Sequence, residues 1–308
     1  MEETIHSRQN KVTEIKRGML VRELPSWNDF VDFVKDPTAS CATLIYRGQG
    51  NANWPVTSTL DRLEQRFPTT PDREKDNGDY DKWPRVDRVR QLERFKEMAR
   101  GRLRSEISRI EEDEWWALAQ HHGMATPMLD WTYSPFVALY FAFEKERCIH
   151  RAPRNRAIFA LAHHLIPAQK NDSTSQTQKH PKPFAPSWPG NYRLTNQGGL
   201  FLKMPQGVDL ERYVKSQFRK ESYSPPRAGG KGNLHPLRVL EKFIIPNDEK
   251  SRFECLRFLD HMNINRASLF PDLDGAARYV NDLWEVNWDK AIGYINDTAC
   301  RPSSGADG

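Results

Sequence analysis

Leu129-Asp130-Trp131-Thr132-Tyr133-Ser134-Pro135-Phe136-Val137-Ala138-Leu139-Tyr140-Phe141-Ala142-Phe143 passes from a short strand into a helix across a single turn. Ser134 is an N-cap candidate, and Pro135 suits the first helical position, where a missing N–H costs nothing and φ is already helical. From Phe136 to Phe143 the helix is apolar on every side, which places it at the centre of the fold. Two apolar runs read as buried strands beside it. One is Cys41 to Gly48, ending in Arg47 and a glycine; the other is Ala157 to Ala162.

Toward the N-terminus, Glu111 to His122 has helical character and Gly123 is its natural C-cap, leaving Gln120, His121 and His122 at the helix exit. Leu92, Phe95, Ala99, Leu103, Ile107 and Ile110 recur every three or four residues and predict a long helix over 85–110. Ser26 to Val34 predicts a short amphipathic helix ending before Pro37. Toward the C-terminus, Asn191 to Gln197 reads as a polar loop, with Gly198-Gly199 directly ahead of the strand Leu200-Phe201-Leu202. Leu237 to Pro246 predicts a strand, and 249–262 and 275–288 predict helices. Residues 1–18 read as a polar arm, 19–290 as one domain with mobile loops at 167–191 and 219–236, and 291–308 as a flexible tail. Strands and helices are interspersed without regular βαβ alternation, so the fold class is α+β.

Composition narrows the function. The chain has 308 residues, enough to bury a core without metal or disulfide staples. Four cysteines, Cys41, Cys148, Cys255 and Cys300, lie far apart, which argues against a zinc ribbon or a disulfide scaffold and suits a reducing compartment. Mean hydropathy is −0.77 and no long apolar run occurs, so a transmembrane span is excluded. The opening residues lack the apolar core of a signal peptide, and a soluble cytoplasmic protein is expected. Lys+Arg number 46 against 41 Asp+Glu, a net charge of +5. Positions 85–109 hold nine bases against four acids and so account for that whole surplus. Arg94, Arg100 and Arg104 are the candidates there for a phosphate-backbone track; a solvated outer face is the other reading.

The chemistry-bearing segments lie at strand and helix ends: Tyr46-Arg47-Gly48-Gln49-Gly50, Gln120-His121-His122-Gly123, Leu129-Asp130-Trp131-Thr132 and Gln197-Gly198-Gly199. An arginine closing a buried strand can fix a guanidinium toward a phosphate, and the glycine after it permits close backbone approach. Asp130 is either a turn acceptor or a group that orients a nucleophile or a ribose hydroxyl. The paired histidines lack a third ligand at metal-binding spacing, so no metal is expected. No Walker, GxGxxG, GxSxG or kinase signature is present.

These segments together resemble the FRG domain family. Tyr46-Arg47-Gly48 matches its aromatic-Arg-Gly motif; Leu118 to Ala142 resembles its second block, Arg193 to Phe201 its third, and Ile264 to Gly275 its closing block. The motif order is in turn similar to ADP-ribosyltransferases of the Arg-Ser-Glu type, which implies an ADP-ribosyltransferase-like α+β fold using NAD as co-substrate. The resemblance then implies Arg47 in the first catalytic role and Gln197 in the third, with Tyr46, Arg47, Gly48, His121, Trp131 and Thr132 around the cofactor; because an amide accepts no proton, Asp130, His121 and His122 are the candidates to activate the acceptor. Two positions depart from the pattern: the hydroxyl motif is reduced to Thr132, and Gln197 stands where an acid is expected, with Glu241 as the fallback. The implied role is a toxin or phage-defence effector that modifies nucleic acid, RNA before protein, with an antitoxin as possible partner. A binding module without turnover and an NAD glycohydrolase are the alternatives.

Overall fold

The computed structural model describes residues 11–36, 44–66, 87–102, 111–144, 154–167, 180–186, 192–218 and 238–283. Its strands are β1 (Lys11–Lys16), β2 (Met19–Glu23), β3 (Ile45–Gln49), β4 (Met128–Thr132), β5 (Asn155–Leu161), β6 (Lys182–Phe184), β7 (Gly199–Lys203) and β8 (Leu240–Pro246). Its helices include α1 (Trp27–Lys35), α2 (Thr59–Arg66), α3 (Arg88–Ala99), α4 (Glu112–His121), α5 (Pro135–Phe143), α6 (Tyr192–Asn196), α7 (Leu210–Gln217), α8 (Glu249–His261) and α9 (Arg266–Leu269), and residues 273–283 are helical as well. The strands form one sheet in the order β1-β2-β8-β5-β3-β4-β7-β6. Only β2 and β8 run parallel; every other neighbouring pair is antiparallel. The α+β class is as expected. Among the described residues no helix is long and apolar enough to cross a membrane.

Both faces of the sheet are covered. Along β5, Ala157, Phe159 and Leu161 enter one apolar cluster with α7, while Ile158 and Ala160 enter the other with α1, α5 and α8. Strand alternation explains the split, and burial on both faces explains why β5 reads as a continuous apolar run. A third cluster joins α2, α3 and α4 to Met128 and Phe201.

Helix α5 is the centre of this arrangement. Ser134 caps it, its Oγ accepting from the Val137 N–H at 3.3 Å, and Pro135 opens it. Six of its nine residues are buried, each larger apolar side chain contributing roughly 2 kcal/mol of burial. Its C-terminal carbonyls, which have no partner within the helix, accept from two buried arginines: Arg156 donates to Ala142, and Arg252 to Phe143 and Glu144. Burial first, then the neighbouring Arg252, pushes Arg156 down to about 10, so it remains charged and favourably placed at a negative helix end. Against β3 the helix comes so close that a Cβ on Gly48 would sit 2.0 Å from the Ala138 carbonyl oxygen and 2.5 Å from the Ala142 nitrogen. The glycine of the aromatic-Arg-Gly motif therefore gives its space to α5, rather than to a phosphate as its sequence context suggests.

Four sequence expectations are corrected. Part of the polar arm is β1, which forms a hairpin with β2 through Arg17 and Gly18, both at positive φ as such a tight turn requires. The helix expected over 85–110 ends at Ala99, where Arg100 turns extended and Gly101 takes a φ of +74°; residues 103–110 lie outside the described residues. The loop at 167–191 contains β6, a sheet-edge strand whose Pro183 is tolerated because an edge needs no second ladder. Asn191 to Gln197 is not a loop throughout but carries α6. The other loop, 219–236, and the tail at 291–308 lie outside the described residues.

Gly48→Ala should lower stability by about 3 kcal/mol or more, since neither contacting atom is a flexible side chain. A chemical-denaturation midpoint unchanged from wild type would overturn the close approach.

Candidate functional site

Strands β3 and β4 are neighbours, yet only Tyr46 and Thr132 pair across them. Beyond that pair the two strands part, and a cleft of 680 Å³ opens along the seam. That volume suits a small organic ligand or nucleotide. Its walls come from β3 and β4, from α2 and the turn ahead of it, from the exit of α4, and from α5, α6 and the segment after α9.

Arg47 spans the open seam. Its Nη1 donates to the Asp130 main-chain carbonyl at 2.7 Å, supplying the partner that the parted strand does not. The Asp130 carboxylate is 3.9 Å from the same nitrogen, a loose ion pair, and its side chain is 60% exposed in the cleft. Arg47 Nε is buried without a hydrogen-bond partner. Burial is the main influence holding this guanidinium below its ordinary value; Asp130 opposes it and Arg62 adds to it. Arginine stays protonated throughout, so the site holds a desolvated cation with one distant counter-charge.

Asp130 is itself oriented. Gln120 Nε2 donates to its Oδ1 at 2.7 Å, and the Gln120 oxygen accepts from the hydroxyl of buried Thr126. Thr126 is fixed from α2, its N–H donating to Thr59 Oγ1 at 2.9 Å. Gln120 can reach the seam because α4 ends in a Schellman motif: Gly123 at φ +86° lets Met124 N–H bond to the Ala119 carbonyl and Gly123 N–H to the Gln120 carbonyl.

Residues 42–150 match the family model of the FRG domain. The matched segment runs from β3 through α5. No curated protein and no solved structure matches it. The FRG segment supplies Arg47, Gln120 and Asp130, whereas Arg193, Gln197 and Phe270 close the cleft from outside it. The third and closing sequence blocks thus meet the FRG domain at this site. They are also tied to each other: Arg193 ion-pairs with Asp272, Asn196 Nδ2 donates to the Ser268 carbonyl at 2.9 Å, and Gln197 Nε2 donates to that of Leu269 at 3.2 Å.

Of the residues the sequence singles out, Tyr46, Arg47, Gly48, His121, Asp130, Trp131, Thr132 and Gln197 all line the cleft. Several do so in a different capacity from the one expected. Tyr46 and Trp131 are 7% and 2% exposed and belong to the core, so the aromatic surface comes instead from Trp54, Phe141 and Phe270. The Thr132 hydroxyl is engaged by the fold, donating to the Gln197 carbonyl at 2.6 Å and accepting from Ser134 N–H at 3.0 Å. His122 is the exposed C-cap of α4 and is not part of the cleft wall. Glu241 is buried on β8 in an ion pair with Arg22 of β2, away from the cleft, so the fallback acidic position is not filled by it.

The predicted phosphate track fares similarly. Arg94 and Arg100 are exposed on and just after α3, which contributes nothing to the cleft, and Arg104 lies outside the described residues. Sequence reasoning passed over Arg62, Arg66 and Trp54, which do line it. The two arginines' only signal was their i,i+4 spacing on a short helix, which looks like any solvated face.

His121 titrates below its ordinary 6.5, through burial first, then Arg193 and His122, with Asp272 opposing. His163 is lowered as well, by burial and by His164. For both, the unfolded chain takes up protons first as pH falls, so the stability is complete above about 6.5 and is lost as pH drops through the folded values. The denaturation midpoint should therefore fall between pH 7 and 5, and His121→Asn combined with His163→Asn should flatten the decline. An identical pH slope in wild type and double variant would refute this.

Proposed function

We propose that the cleft binds NAD and transfers its ADP-ribose to an acceptor. The observation that carries this reading is a coincidence of position. Arg47 on β3, Thr132 at the end of β4 and Gln197 just ahead of β7 are the three positions the Arg-Ser-Glu resemblance names; they stand on adjacent strands and line one cleft. Nothing in the sequence pattern required those strands to be neighbours.

In this reading the Arg47 guanidinium holds the diphosphate of NAD, desolvated and pre-oriented by the Asp130 carbonyl. Thr132 does not touch the ribose; its hydroxyl holds the backbone that presents Gln197. The Gln197 amide nitrogen is directed to Leu269, and its oxygen accepts from the ribose 2′-OH. Phe270 and Phe141 wall the nicotinamide. Asp130 is the exposed carboxylate of the cleft, since Glu144 ion-pairs with Arg266. It offsets the positive charge that develops on the ribose as the C1′–N bond breaks and nicotinamide departs with the electron pair. The acceptor oxygen or nitrogen then bonds to C1′ and its proton passes to Asp130. Water as acceptor would make the protein an NAD glycohydrolase. The toxin or phage-defence role belongs to this same reading.

One observation favours a second reading. Gln197 brings no charge to the position where catalysis by this route uses an acid, which suits a module that binds the nucleotide without turning it over.

Incubation with labelled NAD and separate RNA, DNA and protein pools tests both. Asp130→Asn should lower turnover by about 10² to 10⁴ with NAD affinity kept, and Arg47→Ala should abolish binding and labelling together. Labelling that persists in both variants sinks the transfer reading; intact NAD beside measurable binding selects the binding module.

A further inference from the structure

The mouth of the cleft carries cations without carboxylate partners. Helix α2 has two carboxylates, Asp61 and Glu64, and both are spent elsewhere. Asp61 is 1% exposed, and Arg88 ion-pairs with it and with Glu64. Asp61 also accepts from Gly207 N–H at 2.7 Å and from the Ser58 hydroxyl. Arg62 and Arg66, one helical turn apart, line the cleft instead. Arg62 donates to the Thr57 carbonyl at 2.8 Å and ion-pairs with no carboxylate among the described residues; Arg66 has neither hydrogen bond nor ion pair among them. Burial first, and then Arg66, hold Arg62 below its ordinary value, with the charge of Asp61 opposing them. Like charges gathered at one mouth, with their carboxylates diverted, are electrostatically matched to an anionic ligand.

Trp54, 50% exposed on the turn that follows β3, lines the same cleft. The turn is fixed by Asn51, whose carbonyl accepts from Trp54 N–H at 3.2 Å and whose side chain accepts from Asn53 N–H at 2.9 Å. An exposed indole that lines the same cleft as two arginines without ion pairs among the described residues is the combination that single-stranded nucleic acid uses: a π-surface for one unstacked base and cations for the neighbouring phosphates.

We propose that the mouth of the cleft binds a single nucleic-acid strand, one base stacked on Trp54 and adjoining phosphates held by Arg62 and Arg66. A duplex keeps its bases stacked and offers Trp54 no face, and a protein acceptor brings no phosphates for the arginines. The strand's role as acceptor of ADP-ribose rests on the reading above; the contact itself does not.

Fluorescence anisotropy with labelled oligouridine, oligothymidine and a hairpin duplex, over a salt series, tests the contact. Trp54→Ala should weaken single-strand binding on the order of tenfold. Removing both charges in R62A/R66A should reduce the slope of log K against log salt by about 1.4, the value for two single-strand phosphate contacts, and R62K/R66K should keep it. All three positions are at the surface, and circular dichroism verifies that the variants fold. Binding of either sugar type supports the proposal. It is overturned by a duplex bound as tightly as the strand, by an unchanged salt slope in R62A/R66A, or by a wild-type protein that binds no strand. NAD affinity measured on the same wild-type protein separates the two readings. Strand binding without NAD binding leaves this proposal standing and removes the transfer reading, and the converse removes this one.

Discussion

The contact between α5 and β3 at Gly48 sets the geometry of the rest. An all-apolar helix must be buried on every side, and here it is pressed onto a strand so closely that only a residue without Cβ fits beneath it. Strand alternation then acts on the neighbouring residue: with Gly48 turned to the helix, the Cβ of Arg47 must point the other way. The same helix ends on Arg156 and Arg252, two buried guanidiniums that would be costly alone but are satisfied by the carbonyls a helix C-terminus leaves open. Packing at α5 and placement of the cleft arginine are thus one constraint.

The seam between β3 and β4 is where that constraint becomes a site. A sheet whose central strands share one pair has lost ladder hydrogen bonds, and such groups are expensive to leave unmet in the interior. Arg47 meets one of them through the Asp130 carbonyl, and in doing so becomes a fixed cation in a cleft. Gln120, Thr126 and Thr59 extend the fixation outward to α2 and α4, so the cleft is held by hydrogen bonds from three sides. The FRG segment and the later chain meet there, which is why residues separated by more than a hundred positions share one wall.

Charge shows how sequence position and spatial role can differ. The stretch 85–109 equals the chain's whole net surplus of +5, yet Arg88 is bound to Asp61 and Glu64, and Lys96 to Glu93. The pairing of Arg88 has a further effect, because it engages both acids of α2 and leaves Arg62 and Arg66 without an ion pair among the described residues. A count along the chain assigns the positive field to α3; pairing in space moves its functional part to α2.

By itself the sequence determined the local grammar: the Ser134-Pro135 start of α5, the Gly123 stop of α4, the buried strands β3, β5 and β8, the α+β class, and a set of motif residues most of which do line the cleft. These are set by short-range rules of capping, periodicity and apolar runs, which neighbouring residues impose on each other. It did not determine that β1 and β6 are strands, because edge strands bury little and carry a weak apolar signal. Nor could it separate Tyr46 and Trp131, which are core, from Trp54, which stands at the mouth, since exposure depends on what packs from elsewhere. Only the tertiary structure decided which strands are neighbours, where two of them part, and which charges find partners. Those outcomes depend on contacts between distant segments, and no local pattern encodes them.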